Sequence, residues 1–145
     1  MSGPLYNRDI LRLAAAIPHL RRLAAPQASV ERRAPLCGSR VIVDLALDED
    51  GRIGALGQQV NACALGQAAA ALMGGHAIGR TMAELDRARD TLAAYLAGAR
   101  ADPGDWPGVD ALAVARDYPA RHGAILLPFE AVAEAARAAN LMAAK

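Results

Sequence analysis

Hydrophobic and polar residues alternate over residues 41–47, so one side of this stretch is wholly apolar and a β-strand is predicted. Residues 48–52, Asp-Glu-Asp-Gly-Arg, have the composition of a turn, and a second strand is predicted over about residues 53–60. The more polar residues 29–34 could add a short edge strand. Antiparallel pairing of a hairpin brings the residues before its first strand and those after its second strand to the same end.

Helical periodicity describes most of the remaining chain. Asn7 is a favourable N-cap for a helix over about residues 8–16, because its side-chain oxygen can accept from the first turn. Further helices are predicted over residues 62–73, ending at Gly74-Gly75; from the capping box of Thr81 and Glu84 to about Ala97; over residues 109–115, after a loop at 101–108; and over about residues 127–144, with Pro128 in the first turn.

The two cysteines flank the predicted hairpin. Cys37 precedes the first strand, next to Gly38, which allows a tight turn, and Cys63 follows the second strand in the first turn of a predicted helix. Hairpin geometry therefore predicts that the two thiols are neighbours in space. Backbone amides at the start of a helix favour the thiolate form that metal binding and sulfur chemistry require. The pattern predicts a metal or sulfur site, and two inert buried thiols are the alternative.

Composition narrows the function. The chain has 145 residues, of which 54% are hydrophobic, and is expected to form a single domain over residues 1–145. A net charge of +1 and 3% aromatic residues give no reason to expect a nucleic-acid partner. No signal peptide is recognised and no apolar run approaches the roughly 20 residues of a membrane helix, so a cytoplasmic protein without a membrane partner is expected. In that reducing compartment the cysteines are expected to be free, metal-bound or redox-active.

Enzymatic chemistry is not expected. The paired glycines at residues 74–75 lack the lysine of a phosphate-binding loop, since Lys145 is the only lysine. A catalytic pair of Cys63 and His122 has no evident third group to orient it. The other two histidines, His19 and His76, are interpreted as surface or capping residues. The carboxylates Asp44, Asp48, Glu49 and Asp50 are interpreted as a solvated turn.

The chain has the order helix, cysteine, hairpin, cysteine at a helix start, capped helix and terminal helix. In this order it resembles the U-type iron-sulfur cluster assembly scaffolds, from Leu5-Tyr6 to the last helix. Within that family, the stretch between the second cysteine and the last helix resembles the SufU branch, with residues 102–112 in an insertion relative to the IscU branch. The most specific pieces are Ala34-Pro35-Leu36-Cys37-Gly38, residues 58–70 around Cys63, Asp117-Tyr118-Pro119-Ala120-Arg121, and residues 126–131.

The resemblance implies an α+β fold with a small three-stranded antiparallel sheet and helices packed on one side. It also implies a site in which three cysteines and an aspartate hold zinc or a nascent cluster, and a cysteine desulfurase as the partner that supplies sulfur. Cys37 and Cys63 match the first two cysteines. The aspartate is Ser39 here and the third cysteine is Ala124, neither of which is a good ligand. His122, two positions before Ala124, could be a third metal donor.

Three functions are consistent with this reduced site. The first is a scaffold-like protein that binds iron, zinc or a nascent iron-sulfur cluster through Cys37 and Cys63, with His122, Ser39, a second subunit or small thiols completing the ligand sphere. The second is an acceptor of persulfide sulfur from a cysteine desulfurase, with Cys37 as the preferred acceptor. The third is a degenerate family member that acts as a protein-interaction module.

Overall fold

The computed structural model describes residues 5–35 and 38–143, which form an α+β fold on a three-stranded antiparallel sheet. Val43 in the central strand pairs with Val30 on one side and with Gln58 on the other. The predicted fold class, the hairpin and the edge strand are confirmed. In the order β1-β2-β3, the strands are β1 (Ala28–Arg33), β2 (Arg40–Leu47) and β3 (Ile53–Asn61).

Local capping signals fix the starts of two helices. The Asn7 side chain accepts a hydrogen bond from the N–H of Ile10 at 2.9 Å, and Thr81 and Glu84 form both bonds of a capping box.

None of the helices within residues 5–35 and 38–143 is long and apolar enough to cross a membrane. The helices are α1 (Arg8–Ala14), α2 (Ala64–His76), α3 (Met82–Leu96) and α4 (His122–Ala143), with 3₁₀ segments at Val109–Ala115 and Pro119–Arg121.

The last helix begins five residues earlier than predicted, at His122 instead of residue 127, and Pro128 lies inside it. Proline has no N–H, so it cannot donate to the carbonyl of Ala124, and its ring crowds that carbonyl. Burial offsets this cost, because Ile125 and Phe129 on either side of the proline are almost wholly buried. Residue 144, the predicted end of the helix, lies outside the described residues.

The first two helices also differ from their predicted bounds. α1 ends at Ala14, two residues early, and α2 begins at Ala64 and continues through Gly74-Gly75. At Gly74 the absence of a side chain serves packing, because an added Cβ would lie 2.6 Å from Nε2 of Gln58 and 3.2 Å from the carbonyl oxygen of Pro18. The paired glycines were interpreted as a helix stop, but one of them permits close approach to the sheet.

Helices cover one face of the sheet. α4 packs against β1 and β2, and α2 packs against β3 and α4. The loop before the first 3₁₀ segment closes this layer with Trp106, whose Nε1 donates to the carbonyl of Leu72 at 2.9 Å. Its ring meets Phe129 edge to face, with the centroids 5.6 Å apart. The helices and the loop at residues 101–108 therefore form one continuous core with the sheet.

The opposite face of the sheet is crossed by residues 18–25, which we call the strap. The carbonyl of His19 accepts from the N–H of Gln58 at 2.9 Å. A Cβ at Gly57 would collide with the carbonyl oxygen of Arg21. The glycine therefore lets the strap approach β3 closely. Its position explains why Asp44, the cross-strand partner of Gly57, is fully buried.

Asp44 anchors the strap to the sheet. Its carboxylate accepts from Nε of Arg22 at 2.7 Å, from the N–H of Leu23 at 2.9 Å and from Oγ of Ser29 at 2.6 Å. Burial raises the pKa of this carboxyl group, but the bonds from Arg22, Ser29 and Leu23 outweigh burial and lower the pKa overall. The interpretation of Asp44 as a solvated turn residue is therefore wrong, because the strap covers it.

Candidate functional site

The open end of the hairpin is where the two cysteines were predicted to meet. Arg40 pairs with Asn61 as the last pair of β2 and β3, so the chain enters β2 and leaves β3 at the same end of the sheet. The turn before β2 is closed by two bonds, from the N–H of Gly38 to Ala34 at 3.1 Å and from the N–H of Ala34 to Ser39 at 2.9 Å. Gly38 has a positive φ of 69°, as expected for a tight turn.

Cys37 lies outside the described residues, so its predicted proximity to Cys63 stays a prediction. Two of its neighbours in sequence are described. Gly38 and Ser39 line a shallow depression of about 290 Å³ together with Cys63 and the two residues before it, Asn61 and Ala62. The two residues that follow Cys37 in the sequence and the start of α2 therefore border one depression.

Cys63 is the N-cap of α2, one residue before the helical turn in which it was predicted. Its backbone is extended, with φ −65° and ψ 171°, and its side chain makes no capping hydrogen bond. The thiol is free and partly buried. Cys63 therefore offers an uncommitted thiol at the edge of the depression.

The two positions without ligands both lie near the start of α2. Ser39, which the resemblance predicts to replace an aspartate ligand, is buried with 3% of its surface exposed. Ala124, which it predicts to replace the third cysteine, is fully buried in the first turn of α4. The Cβ of Ala124 lies 3.5 Å from where a Cβ added to Gly66, three residues after Cys63, would be. Ala124 therefore packs against the first turn of α2, where it presents only a methyl group.

His122 lines a different cavity from Cys63. This cavity, of about 870 Å³, lies between the end of α3 and the start of α4, with Tyr95, Arg116 and Asp117 in its wall. Nε2 of His122 lies 2.8 Å from the carbonyl oxygen of Ala115. A carbonyl can only accept, so Nε2 carries the proton and Nδ1 is the nitrogen left for another ligand. Metal binding by His122 stays a prediction.

Within residues 5–35 and 38–143, no three His, Cys, Asp or Glu side chains are grouped so that they could hold a metal ion. The other two histidines lie at backbone turns: His19 in the strap has a φ of 57°, and His76 is the last residue of α2. The described part of the chain therefore brings one thiol to the depression and no second strong donor beside it.

Sequence reasoning missed Gln67, which holds the turn before α2. Its N–H donates to the carbonyl of Cys63 at 2.9 Å, and its side-chain Nε2 donates to the carbonyl of Ala62, also at 2.9 Å. The available signal was a single polar residue, four positions after Cys63, at the start of an alanine-rich helix. Such a residue on a helix normally faces solvent, so its contact with the turn could not be inferred.

Comparisons with known proteins include a solved structure with substantial sequence identity to this chain. A nitrogen-fixing NifU-like protein (N-terminal) from Brucella abortus is 36% identical, with a TM-score of 0.88 over 94% of this chain and 95% of that one. No protein-family model and no curated protein sequence matches this chain.

Two further solved structures share the fold at lower identity. A putative iron-sulfur cluster assembly scaffold protein for the SUF system from the thermophile Fervidobacterium islandicum AW-1 is 20% identical, with a TM-score of 0.80 over 91% of this chain and 96% of that one. A hypothetical protein is 22% identical, with a TM-score of 0.72 over 92% and 97% of the two chains.

Proposed function

Because the chain belongs to the family of U-type iron-sulfur cluster assembly scaffolds, we propose that it carries iron, zinc or a nascent cluster as cargo on Cys37 and Cys63. The observation that supports this most is the depression at the end of the hairpin. It is bordered by the free thiol of Cys63 and by Gly38 and Ser39, the residues that follow Cys37. A cysteine desulfurase is the partner that such a site requires as its sulfur source.

The donor set of this site is half of a complete one. A tetrahedral zinc site or an iron-sulfur cluster takes four donors, of which the chain would supply two thiolates. Ser39 offers a hydroxyl, which is a poor ligand, and the methyl group of Ala124 is no ligand. A second subunit, small thiols or His122 would complete the sphere. A cargo held by two thiolates is bound more weakly than one held by four ligands, which suits transfer to another protein.

Anaerobic reconstitution tests this function. The protein would be incubated with ferrous iron and sulfide, or with zinc, then desalted and analysed for metal and acid-labile sulfide. We expect the wild type to retain metal, and the variants Cys37→Ser and Cys63→Ser each to lose most of it. A wild-type metal content near zero with both metals would rule out the carrier role. Equal retention by all three proteins would place the metal elsewhere in the chain.

The shortage of donors favours a second candidate, acceptance of sulfur without a metal. A persulfide needs only one thiolate, and Cys63 has a free, partly buried thiol beside an open depression. In this reaction the acceptor thiolate attacks the terminal sulfur of the desulfurase persulfide. A new sulfur-sulfur bond forms on the acceptor as the old one breaks, and the desulfurase cysteine leaves as a thiolate, so no oxidant is needed.

Intact-protein mass spectrometry separates the two candidates. The protein would be incubated with a cysteine desulfurase and cysteine, and the mass gain of one sulfur assigned by comparing Cys37→Ser with Cys63→Ser. A gain that disappears in one variant identifies the acceptor, and no gain on either cysteine removes this candidate. The interaction-module alternative predicts that a variant carrying both Cys37→Ala and Cys63→Ala still binds its partner and restores the phenotype.

A further inference from the structure

Gln67 holds both peptide groups that flank the α-carbon of Cys63. The carbonyl of Ala62 belongs to the peptide group before Cys63, and the carbonyl of Cys63 belongs to the one after it. The side chain of Gln67 donates to the first, and its backbone N–H donates to the second in the ordinary first hydrogen bond of the helix, each at 2.9 Å. Peptide groups are planar, so two fixed groups determine both backbone torsions of Cys63 and therefore the direction of its Cα–Cβ bond.

The side chain of Cys63 does not help to hold its own backbone in place. Most N-cap side chains accept a hydrogen bond from the first helical turn, and this holds the capping residue in place. Cys63 makes no capping bond, which leaves its thiol free for chemistry and leaves the turn to be held by other groups. Gln67 provides the holding bond that a serine or aspartate at the cap would provide for itself.

Gly66 supports the same arrangement by having no side chain. A Cβ added to Gly66 would lie 2.7 Å from the Cβ of Ala62, closer than two such carbons can approach. Ala62 is therefore able to fold back onto the first turn of α2, where its carbonyl comes within reach of Gln67. A methyl group at position 66 would push Ala62 away, and the peptide group before Cys63 would move with it.

We infer that Gln67 is a positioning residue that sets the direction of the Cys63 thiol, with Gly66 allowing the turn to close. The biological meaning of this inference rests on the proposed function, because a fixed thiol matters for accepting a metal or sulfur. The geometry itself does not depend on which cargo is carried. The ligand class is a soft metal ion or a sulfane sulfur presented at the depression.

The test uses the full chain with Cys37→Ser, so that Cys63 is the single cysteine. Cysteine labelled with carbon-13 reports the backbone and side-chain conformation of Cys63 by NMR, and the rate of alkylation by iodoacetamide reports the accessibility of its thiol. Gln67→Glu keeps the shape of the side chain but removes the donor, and Gln67→Met removes the amide. Gln59→Met, an exposed glutamine on β3, is the matched control.

Both Gln67 variants are expected to shift or split the Cys63 resonances and to change the alkylation rate by about fivefold, the effect of one lost hydrogen bond. Gly66→Ala is expected to shift the same resonances by pushing Ala62 away from the first turn of α2. Gln59→Met is expected to leave the resonances unchanged. Resonances and rates that match the parent in both Gln67 variants would overturn the inference. A lowered melting temperature without either change would also overturn it, because Gln67 would then only stabilise the fold.

Failure of the inference and failure of the proposed function are distinguishable. Wild-type protein that takes up neither metal nor sulfur would defeat the proposed function, while the resonances of Cys63 would still decide the role of Gln67. Conversely, metal uptake by the wild type with unchanged Cys63 resonances in the Gln67 variants would keep the function and reject the positioning role.

Discussion

Asp44 and Cys63 belong to the same β-hairpin region, yet the chain surrounds them in opposite ways. Asp44, in the middle of the sheet, is fully buried and accepts hydrogen bonds from Arg22, Leu23 and Ser29. Cys63, at the end of the hairpin, is partly buried, free and without a capping bond. A charged group satisfied within the chain serves the fold, whereas a reactive group left uncommitted beside a depression is available for function.

The largest expected effect comes from breaking the Asp44 network. Asp44→Ala should lower the free energy of unfolding by about 3 kcal/mol, the lower end of the cost of breaking a buried ion pair, because Arg22 is half exposed. Urea unfolding followed by the fluorescence of Trp106, the single tryptophan, measures this loss. Asp90→Ala, at an exposed ion pair on α3, is the control and should cost less than about 0.5 kcal/mol. Equal losses in the two variants would contradict a special role for the strap.

The next effect concerns the missing ligands. Ser39→Asp combined with Ala124→Cys should raise the affinity for zinc at least about tenfold, or about 1.4 kcal/mol, because Ala124 packs beside the first turn of α2. Isothermal titration of zinc into the wild type and the double variant measures the gain. Ser39→Asp combined with Ala124→Ser serves as a control that adds no thiolate. An unchanged affinity would mean that the backbone no longer holds the family's site geometry.

Stability should also depend on pH through Asp44. Its pKa is lower in the folded protein than in the unfolded chain, so its contribution is present above the unfolded value of about 3.9 and is lost as the pH falls through the folded value. The free energy of unfolding should therefore fall less steeply below about pH 4 in Asp44→Asn than in the wild type. Glu84, whose pKa is lowered by the N–H of Thr81, maintains part of the slope in both. Parallel slopes would contradict the assignment to Asp44.

The smallest expected effect is on stability at the site itself. Cys63→Ser should change the free energy of unfolding by no more than about 0.5 kcal/mol, because the thiol makes no capping bond and is only partly buried. The added hydroxyl can accept from the first turn of α2, which would favour a small gain. Urea unfolding monitored through Trp106 provides the measurement. A loss above about 2 kcal/mol would make Cys63 a core residue and would remove the contrast with Asp44.

Local patterns predicted the elements that depend on neighbours in sequence. Alternation over residues 41–47 predicted β2, and the capping residues Asn7 and Thr81 predicted the starts of α1 and α3. The start of α4 was missed because a proline normally marks a first turn, and only burial against the sheet explains Pro128 in a helix interior.

Features that depend on distant contacts had no comparable signal. The strap has no hydrophobic period, so the burial of Asp44 beneath it could not be predicted from the chain. The proximity of the two cysteines is a prediction from hairpin register, which is local geometry, and it stays a prediction, although Gly38 and Ser39 border the depression of Cys63. The separate cavity of His122 depends on how α3 and α4 pack, which the sequence pattern does not contain.

X-ray absorption at the zinc edge tests the central claim most directly, because it counts the sulfur ligands of a bound metal. For the zinc-loaded wild type, we predict at least two sulfur ligands per zinc ion at about 2.3 Å, contributed by Cys37 and Cys63. Cys63→Ser should lower that count. A wild-type zinc site without sulfur ligands would contradict the claim that Cys37 and Cys63 hold the metal. A number of sulfur ligands that stays the same in Cys63→Ser would contradict it as well.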